Sequence, residues 1–391
     1  MASLGPESER DPFLLTPGPL TTAATTKRAM LHDWGSRDSA FIAMTARVRR
    51  RLAEIAGGGD LVAVLLQGSG TFVVEAALGT FVPRTGKLLI LVNGAYGARM
   101  ARVCQVMGRA AVTLETPEDV PPSPAAVDAA LAADPAITHV TAVYCETTSG
   151  ILNPIDAVAE VVAARRRRML VDAMSAFGAL PLDMRRTRCD AVMASSNKCL
   201  EGVPGIGFVV ARPAALREAA GNAHSLSLDL HDQWVYMEKT GQWRFTPPTH
   251  VLAAFDHAID LFIAEGGVGG RGARYERNCR VLVKGLREMG FATLLPDHLQ
   301  APVIVTVRTP ADPRFDFEVF YEALRRRGYV IYPGKLTVAD SFRVGCIGHL
   351  GEAEMRGALL AMRAALADMG VADCGPAPAA AAVPAAARAA R

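Results

Sequence analysis

Two ionisable residues lie in apolar surroundings that a charged side chain normally avoids. Lys198 follows the apolar run 191–194, and Asp172 closes the apolar run 169–172. A lysine held in an apolar pocket or beside other cations loses proton affinity and becomes a nucleophile for carbonyl groups. A buried carboxylate can keep a ring nitrogen protonated, which pyridoxal phosphate needs in order to accept electrons. Taken alone, an ordinary surface lysine and a turn-capping aspartate are the alternatives.

A glycine-containing turn after the apolar run 62–66 has the chemistry of a phosphate site. Its sequence is Gln67-Gly68-Ser69-Gly70-Thr71, and a helix-compatible segment follows. Backbone N–H groups at a helix N-terminus attract anions, and the hydroxyls of Ser69 and Thr71 add donors. The turn lacks the Gly-Lys-Ser/Thr of a Walker loop and the third glycine of a dinucleotide fingerprint. We interpret Ser69, Gly70 and Thr71 as a phosphate cup, with an ordinary strand-to-helix turn as the alternative.

Three further residues could complete a ligand site. Tyr96 lies between glycines after the run 88–92, where an aromatic ring can stack on a planar ligand. Thr148 belongs to the segment Glu146–Gly150, which offers hydroxyls after the run 139–144. Arg343 is a lone arginine in an apolar strand-like segment, and its planar fork matches a carboxylate or a phosphonate. The alternatives are a partly exposed turn residue for Tyr96 and a structural ion pair for Arg343.

Short apolar runs alternate with helix-compatible segments along this part of the chain. The runs lie at 62–66, 88–92, 139–144, 169–172, 191–194 and 207–210, and the helical segments at 71–79, 98–107, 124–132 and 155–166. This alternation predicts an α/β fold with a mostly parallel sheet that is covered on both faces. Ligands of such sheets bind beyond the carboxyl ends of the strands. The phosphate cup, Asp172 and Lys198 should therefore meet at one edge.

The order of predicted elements and a glycine-rich break predict a large domain followed by a smaller one. A predicted helix at 248–265 is followed by the glycine-rich segment 266–270, a helix at 272–289, strands near 303–307 and 330–332, and a last helix from about 352. We expect an N-terminal arm at 13–30 that packs with the small domain. The large domain should span 31–268 and the small α+β domain 269–370. The polar segment 1–12 and the Ala/Pro-rich tail 371–391 are expected to be disordered.

Composition excludes several classes of protein. Half of the 391 residues are hydrophobic, and the net charge of +3 is too small to indicate nucleic-acid binding. The seven cysteines form no C-x-x-C pair, so neither a metal site nor a disulfide framework is indicated, and a reducing compartment is expected. No signal-like N-terminus and no run of about 18 apolar residues is present. We therefore expect a soluble cytoplasmic protein without a membrane partner.

Together, these motifs resemble those of the class V aminotransferases, pyridoxal phosphate enzymes of fold type I. The resemblance covers residues 13–368 and includes LQGSGTFVVEAALGT, NGAYGARM, CETTSGILNP and FRVGCIG. The segments VDAMSAFGALP and NKCLEGVPGIGFV, which carry Asp172 and Lys198, are typical of the whole class. The arm LLTPGPLTTAATTKRAMLHDWGSRD and the stretches FTPPTH and YPGKLT are similar to the branch that transaminates 2-aminoethylphosphonate with pyruvate.

The resemblance implies pyridoxal 5′-phosphate as cofactor and assigns the residues around its ring. Lys198 would bind the cofactor aldehyde and shuttle the proton during transamination. Asp172 would pair with the pyridine nitrogen, and Tyr96 would stack on the ring. Thr148 would lie near the ring hydroxyl.

The resemblance also implies how the phosphate and the substrates are held. Ser69, Gly70 and Thr71 would bind the cofactor phosphate, and Thr246 would complete that site from a neighbouring subunit of a homodimer. Arg343 would bind the anionic group of either substrate. The expected reaction converts 2-aminoethylphosphonate and pyruvate to phosphonoacetaldehyde and L-alanine.

Other functions remain as alternatives. An alanine–glyoxylate or serine–pyruvate aminotransferase would share Asp172, Lys198 and Arg343, so these residues do not distinguish it. A cysteine desulfurase needs a nucleophilic cysteine on a mobile loop, whereas Cys346 lies in an apolar strand-like segment. A non-catalytic binding protein of the same fold would not need the complete catalytic set.

Overall fold

Strands and helices alternate along most of the chain in the computed structural model, which describes residues 11–336 and 339–376. The strands are β1 (Phe13–Leu14), β2 (Val62–Gln67), β3 (Lys87–Val92), β4 (Ala110–Glu115), β5 (Ile137–Val143), β6 (Cys145–Glu146), β7 (Ile151–Leu152), β8 (Arg168–Asp172), β9 (Ala191–Ser195), β10 (Ile206–Ala211), β11 (Ile304–Arg308), β12 (Tyr329–Val330), β13 (Tyr332–Pro333) and β14 (Ser341–Gly345). The α-helices are α1 (Ala24–Arg28), α2 (Ser39–Ile55), α3 (Gly70–Phe81), α4 (Ala95–Met107), α5 (Pro124–Ala133), α6 (Ile155–Ala164), α7 (Pro213–Glu218), α8 (Leu230–Thr240), α9 (Thr249–Ala264), α10 (Gly267–Glu288), α11 (Phe317–Arg326) and α12 (Glu352–Met369).

Seven strands form a central sheet in the order β2-β10-β9-β8-β5-β3-β4. Strand β10 runs antiparallel to both of its neighbours, β2 and β9. The other pairs, from β9 to β4, are parallel. The predicted α/β fold with a mostly parallel sheet is confirmed. The carboxyl ends of β2, β8 and β9 consequently lie at the same edge.

Helices cover both faces of this sheet because the strands are apolar on both sides. One core cluster joins residues of α2, α5, α6 and α9 to one face, and a second joins α3, α4, α7 and α8 to the other. Successive residues of a strand point to opposite faces. Leu65 accordingly packs in the first cluster and Val64 in the second. This double burial explains why the strands read as continuous apolar runs.

The C-terminal part of the chain forms its own core around a three-stranded antiparallel sheet. Its strand order is β11-β14-β13, and residues of α10, α11 and α12 pack with these strands in a third cluster. The N-terminal arm joins this part, because β1 pairs in parallel with β12 and Leu15 is buried in the same cluster. The domain boundaries given above remain predictions.

The glycine-rich segment 266–270 differs from its predicted role as a break before a helix at 272. Gly266 and Gly267 have φ values of 101° and 64°, which favour glycine, and α10 begins directly at Gly267. Gly270 lies inside the helix, where an added Cβ would come within 1.9 Å of the Glu265 carbonyl oxygen. The glycines therefore permit a sharp turn and a close approach, and the helix continues through them.

The segments predicted to be disordered, 1–12 and 371–391, lie largely outside the described residues, because the description omits 1–10 and 377–391. Within the part of the tail that is described, the Ala311 N–H donates to the Gly375 carbonyl, 2.8 Å apart, and Cys374 is buried. Among the helices of the described ranges, none combines the length and the apolar character needed to cross a lipid bilayer.

Candidate active site

The carboxyl ends of the central strands open into a cavity of about 180 Å³. Six residues singled out in the sequence line this cavity together, namely Ser69, Gly70, Thr71, Tyr96, Asp172 and Lys198. They come from the carboxyl ends of β2, β3, β8 and β9 or from the residues that follow these strands. These segments are far apart in the sequence, and the strand order brings them to one edge of the sheet. The sheet therefore brings a lysine, a carboxylate and a glycine-containing turn into one cavity.

Lys198 follows β9 and is held by the N-terminal arm. Its Nζ donates a hydrogen bond to the carbonyl oxygen of Pro17. Burial lowers the pKa of Lys198, and the nearby Tyr96 and Asp172 oppose this effect only in part. A larger fraction of the amine is therefore neutral than at an exposed lysine, which suits attack on a carbonyl carbon.

Asp172 is the last residue of β8 and is almost fully buried. Its Oδ1 accepts a hydrogen bond from the Met174 N–H at 2.9 Å, whereas Oδ2 accepts none from the described residues. Burial raises the pKa of Asp172 to about 6, and the negative charge of Glu146 adds to this effect. A carboxylate that is desolvated and has an oxygen to spare fits a protonated ring nitrogen, which would supply both a donor and a positive charge.

The phosphate cup lies at the N-terminus of α3, a helix of 12 residues. Ser69 is the N-cap residue, but its side chain makes no capping hydrogen bond, so the hydroxyl is available to a ligand. Thr71 Oγ1 accepts a hydrogen bond from Arg99 Nη1 at 3.3 Å, which brings a positive charge to the cup. An added Cβ at Gly70 would lie 2.7 Å from Met174 Sδ, so a larger residue here would require the Met174 side chain to move. These features fit a phosphate group.

Tyr96 lies in the first turn of α4 with cations around its ring. The Arg99 guanidinium and the Lys335 ammonium lie 5.0 Å and 5.3 Å from the ring centroid. Burial alone would raise the pKa of Tyr96, but the charge of Lys198 and a hydrogen bond with Thr147 lower it overall. Tyr96 thus presents its ring to the cavity, and its ring and hydroxyl lie close to several positively charged side chains.

Arg343 lies in β14 and is 2% exposed. Its Nε donates to the Pro333 carbonyl at 3.1 Å, and its Nη1 donates to the Thr147 carbonyl at 3.0 Å. Burial lowers the pKa of Arg343, and the adjacent Tyr96 hydroxyl opposes this effect. The guanidinium therefore has a fixed orientation beside Tyr96, without a carboxylate partner among the described residues.

Three sequence-predicted residues, Arg343, Thr148 and Thr246, are not among those that line the cavity of this chain. The Thr148 hydroxyl donates to Glu146 Oε1 at 2.7 Å and accepts from the Ala95 N–H at 2.9 Å, so both of its functions are occupied. Its neighbour Thr147 lines the cavity in its place. Thr246 is exposed in the loop before α9.

A buried carboxylate that the sequence did not reveal, Glu146, binds the N-terminus of α4. Glu146 is fully buried and accepts hydrogen bonds from the N–H groups of Tyr96, Gly97 and Thr148. Burial raises the pKa of Glu146, although these hydrogen bonds favour the ionised form. An added Cβ at Gly94 would lie 2.5 Å from the Glu146 carboxyl carbon. Glu146 therefore fixes the backbone that carries Tyr96.

A second buried acid, Glu201, lies three residues after Lys198 and was also missed. Its N–H donates to the Lys198 carbonyl at 2.8 Å, and its φ is 55°. The carboxylate accepts from the Tyr275 hydroxyl at 2.6 Å and from Arg274 Nη2 at 2.7 Å. Burial opposes ionisation, but His349, Arg271 and Arg274 hold its pKa at about 2. The only sequence signal was an acidic residue in the glycine-rich segment after Lys198.

The Glu201 cluster connects the Lys198 turn to the C-terminal part of the molecule. Arg271 is 1% exposed and donates from Nη1 to the Cys199 carbonyl at 2.5 Å. Arg274 donates from Nη1 to the carbonyls of Gly348 and Leu350. Arg274 therefore links the turn that carries Lys198, through Glu201, to the segment after β14.

Comparison with known families gives one match over most of the chain. The model of the family described as Aminotransferase class-V matches residues 24–338. A curated relative from Burkholderia thailandensis is 58% identical over 365 residues, which are 93% of this chain and 99% of the relative. A relative from Pseudomonas aeruginosa is 56% identical over 365 residues, which are 93% of this chain and 98% of the relative. Both relatives are named 2-aminoethylphosphonate–pyruvate transaminase.

Solved structures support the same fold. A pyridoxamine–pyruvate aminotransferase from Mesorhizobium loti aligns with a TM-score of 0.84 at 26% identity, covering 93% of this chain and 94% of that chain. An alanine–glyoxylate aminotransferase from Nostoc sp. aligns with a TM-score of 0.86 at 22% identity, covering 93% of this chain and 97% of that chain. At 22% identity, the likeness to the alanine–glyoxylate aminotransferase concerns the fold alone.

Proposed function

The chain belongs to the class V aminotransferases, and we propose that it transfers the amino group of 2-aminoethylphosphonate to pyruvate, giving phosphonoacetaldehyde and L-alanine. The observation that carries this proposal is identity of more than half of all residues with transaminases of that name, over nearly the whole length of both chains. The cavity supplies the chemistry that such a reaction needs.

Pyridoxal 5′-phosphate is the cofactor of the proposed reaction, and the residues of the cavity fit it. When bound, it supplies an aldehyde carbon for the amino group and a ring that withdraws electrons. Ser69, Gly70 and Thr71 would hold its phosphate at the N-terminus of α3. Asp172 would accept the proton of its ring nitrogen, and Tyr96 would lie against the ring.

Lys198 and Arg343 would act on the substrate. The Lys198 amine would take the proton from the carbon that bears the substrate amine and would deliver a proton to the cofactor's aldehyde carbon. Arg343 would orient the phosphonate or the carboxylate through its guanidinium. Because Thr148 is engaged with Glu146, Thr147 is the better candidate for the hydroxyl near the ring.

A homodimer is part of the same proposal. Thr246 and its neighbour Phe245 are exposed on this chain, and Phe72 beside the phosphate cup is 52% exposed. Large exposed apolar side chains near a ligand site are typical of a surface that another chain covers. We propose that Thr246 of a second copy reaches the phosphate cup across such a surface.

The test is a coupled assay with 2-aminoethylphosphonate and pyruvate that measures L-alanine, with Lys198→Ala as the negative control. Alanine should form with the wild-type protein and not with the variant. Serine and alanine as donors, with glyoxylate as acceptor, complete the panel. Turnover of those donors without turnover of 2-aminoethylphosphonate would refute the proposal in favour of another class V aminotransferase. A purified protein that binds no cofactor would instead indicate a non-catalytic member of the fold.

A further inference from the structure

The hairpin formed by β13 and β14 holds a second cation close to Arg343. Tyr332 pairs with Arg343 and Pro333 with Phe342 in this hairpin. The Gly334 N–H donates to the Ser341 carbonyl at 2.8 Å, and Arg343 Nε donates to the Pro333 carbonyl at 3.1 Å. These bonds fix the backbone up to the residue before Lys335.

Lys335 extends from this hairpin to the same aromatic ring that Arg343 contacts. Its Nζ lies 5.3 Å from the centroid of Tyr96, which lines the cavity. Lys335 is exposed, so its ammonium group is open to solvent. An exposed lysine that lies against a cavity-lining ring has its charge available to a ligand that enters beside that ring.

The two substrates of the proposed reaction differ in charge. A phosphonate, like a phosphate monoester, carries up to two negative charges near neutral pH, whereas the pyruvate carboxylate carries one. Arg343 supplies one positive charge, and two of its nitrogens already donate to backbone carbonyls. One guanidinium therefore matches a carboxylate, and a second cation is needed to match the phosphonate.

We infer that Lys335 is a specificity-determining residue that contacts the phosphonate of the amino donor together with Arg343. This inference rests on the proposed function. Lys335 takes no comparable part in binding the carboxylate of pyruvate or alanine. A positively charged ammonium recognises the added charge by simple Coulomb attraction, so Lys335 does not require the bidentate geometry of Arg343.

The experiment compares the two half-reactions of the cofactor-loaded enzyme in single-turnover measurements. The variants are Lys335→Gln, which removes the charge, and Lys335→Arg, which keeps it. Lys284→Gln on the exposed face of α10 is the control for loss of a surface charge. Loss of a charge-assisted contact weakens binding about ten- to a hundredfold. We therefore expect kcat/KM for 2-aminoethylphosphonate to fall by that factor in Lys335→Gln. The value for L-alanine should change by less than about threefold, because a carboxylate gains little from the second cation.

Lys335→Arg should retain most of the activity with both substrates. Equal losses with 2-aminoethylphosphonate and L-alanine in Lys335→Gln would mean that Lys335 only supports Tyr96, and this outcome overturns the inference. An unchanged reaction with 2-aminoethylphosphonate overturns it as well.

Equilibrium binding separates this inference from the proposed function. Ethylphosphonate and propionate carry the two anionic groups without an amine, so their binding to the holoenzyme does not depend on turnover. Lys335→Gln should weaken the binding of ethylphosphonate by at least about tenfold and leave the binding of propionate nearly unchanged. Equal weakening of both, or no weakening of ethylphosphonate, refutes the role of Lys335. Absence of 2-aminoethylphosphonate turnover in the wild-type enzyme refutes the proposed function, whatever the binding result.

Discussion

The side chain of Lys198 packs directly on the backbone of Gly18. An added Cβ at Gly18 would lie 2.8 Å from Lys198 Cδ and 2.9 Å from Nζ, and the φ of Gly18 is 123°. The substitution Gly18→Ala should therefore strain the arm and displace the lysine. We expect the free energy of unfolding to fall by about 1–3 kcal/mol and the activity to fall at least about tenfold.

Chemical denaturation and trapping with borohydride measure the two effects of Gly18→Ala. Trapping followed by mass spectrometry gives the fraction of chains with cofactor covalently attached. The matched control is Gly59→Ala, because Gly59 has a φ of 73° but no atom within 4 Å of its added Cβ. Equal effects of both variants on attachment would contradict the packing argument.

Replacing Asp172 should separate stability from activity. Burial raises its pKa to about 6 from 3.8, so the protonated form favours the folded state. The stabilisation is present below about pH 4 and is lost as the pH rises through 6. At pH 8 the ionised group costs the cofactor-free protein about 3 kcal/mol. Asp172→Asn should therefore be more stable than the wild type at pH 8, with the difference closing below pH 4.

The same variant should lose roughly a hundredfold or more in transamination, because an amide does not keep a ring nitrogen protonated. Denaturation of the cofactor-free proteins between pH 4 and pH 8 measures the first effect, and the coupled assay measures the second. A cofactor-free Asp172→Asn protein that is less stable than the wild type at pH 8 would contradict the assignment of a desolvated carboxylate.

Glu201 should have the opposite pH dependence. Its arginine and histidine partners lower its pKa to about 2 from 4.5, so its contribution to stability is present above pH 4.5 and is lost as the pH falls through 2. Arg271 and Arg274 pair with both Glu201 and Glu265, so Glu201→Gln removes one of their two carboxylate partners. From the lowered pKa, this loss should cost about 3 kcal/mol at pH 7. The ion pair of Arg49 with the exposed Glu238 provides the control Glu238→Gln, which should cost less than about 1 kcal/mol.

Urea denaturation at several pH values tests this prediction for Glu201. The difference between wild type and Glu201→Gln should shrink as the pH is lowered from 4.5 towards 2. A constant difference over that range would show that the carboxylate charge is not what stabilises the Lys198 turn.

The proposed contribution of Thr246 from a second subunit is testable by mixing variants. Thr246→Asp should repel the cofactor phosphate, and Lys198→Ala removes the nucleophile, so each variant alone should be inactive. In a mixed dimer, Lys198 of one chain meets Thr246 of the other, and one site is intact. Refolding an equal mixture should restore up to about a quarter of the wild-type activity. No recovery in a mixture that forms dimers would place Thr246 in the site of its own chain.

The order of the central motifs was predictable because a mostly parallel sheet brings strand ends to one edge. Asp172 and Lys198 follow apolar runs that are visible in the sequence, and these runs became β8 and β9. The position of the Ser69–Thr71 turn was predictable as well, since a glycine-containing turn after an apolar run precedes a helix. Its binding of a phosphate stays a prediction. Local pattern and strand direction were sufficient for this part of the site.

The remaining contacts depend on tertiary packing that no local pattern encodes. Pro17 and Gly18 reach Lys198 only because β1 pairs with a strand more than 300 residues later. The choice between Thr147 and Thr148 depends on which hydroxyl the buried Glu146 takes up. The partners of Glu201 come from α10 and from the segment after β14, so its role becomes visible only in three dimensions.

The strand order also constrains when the site can form during synthesis. Strand β2 ends at residue 67, yet the strand it pairs with in the central sheet is β10, which ends at residue 211. The cup that follows β2 therefore has no sheet to support it until the ribosome has added about 140 further residues. The arm waits longer still, because its partner strand begins at residue 329. The apolar β2 and the arm therefore stay unpaired in the nascent chain through most of translation. Assembly of the cofactor site is consequently a late event, and these segments are exposed to chaperones until then.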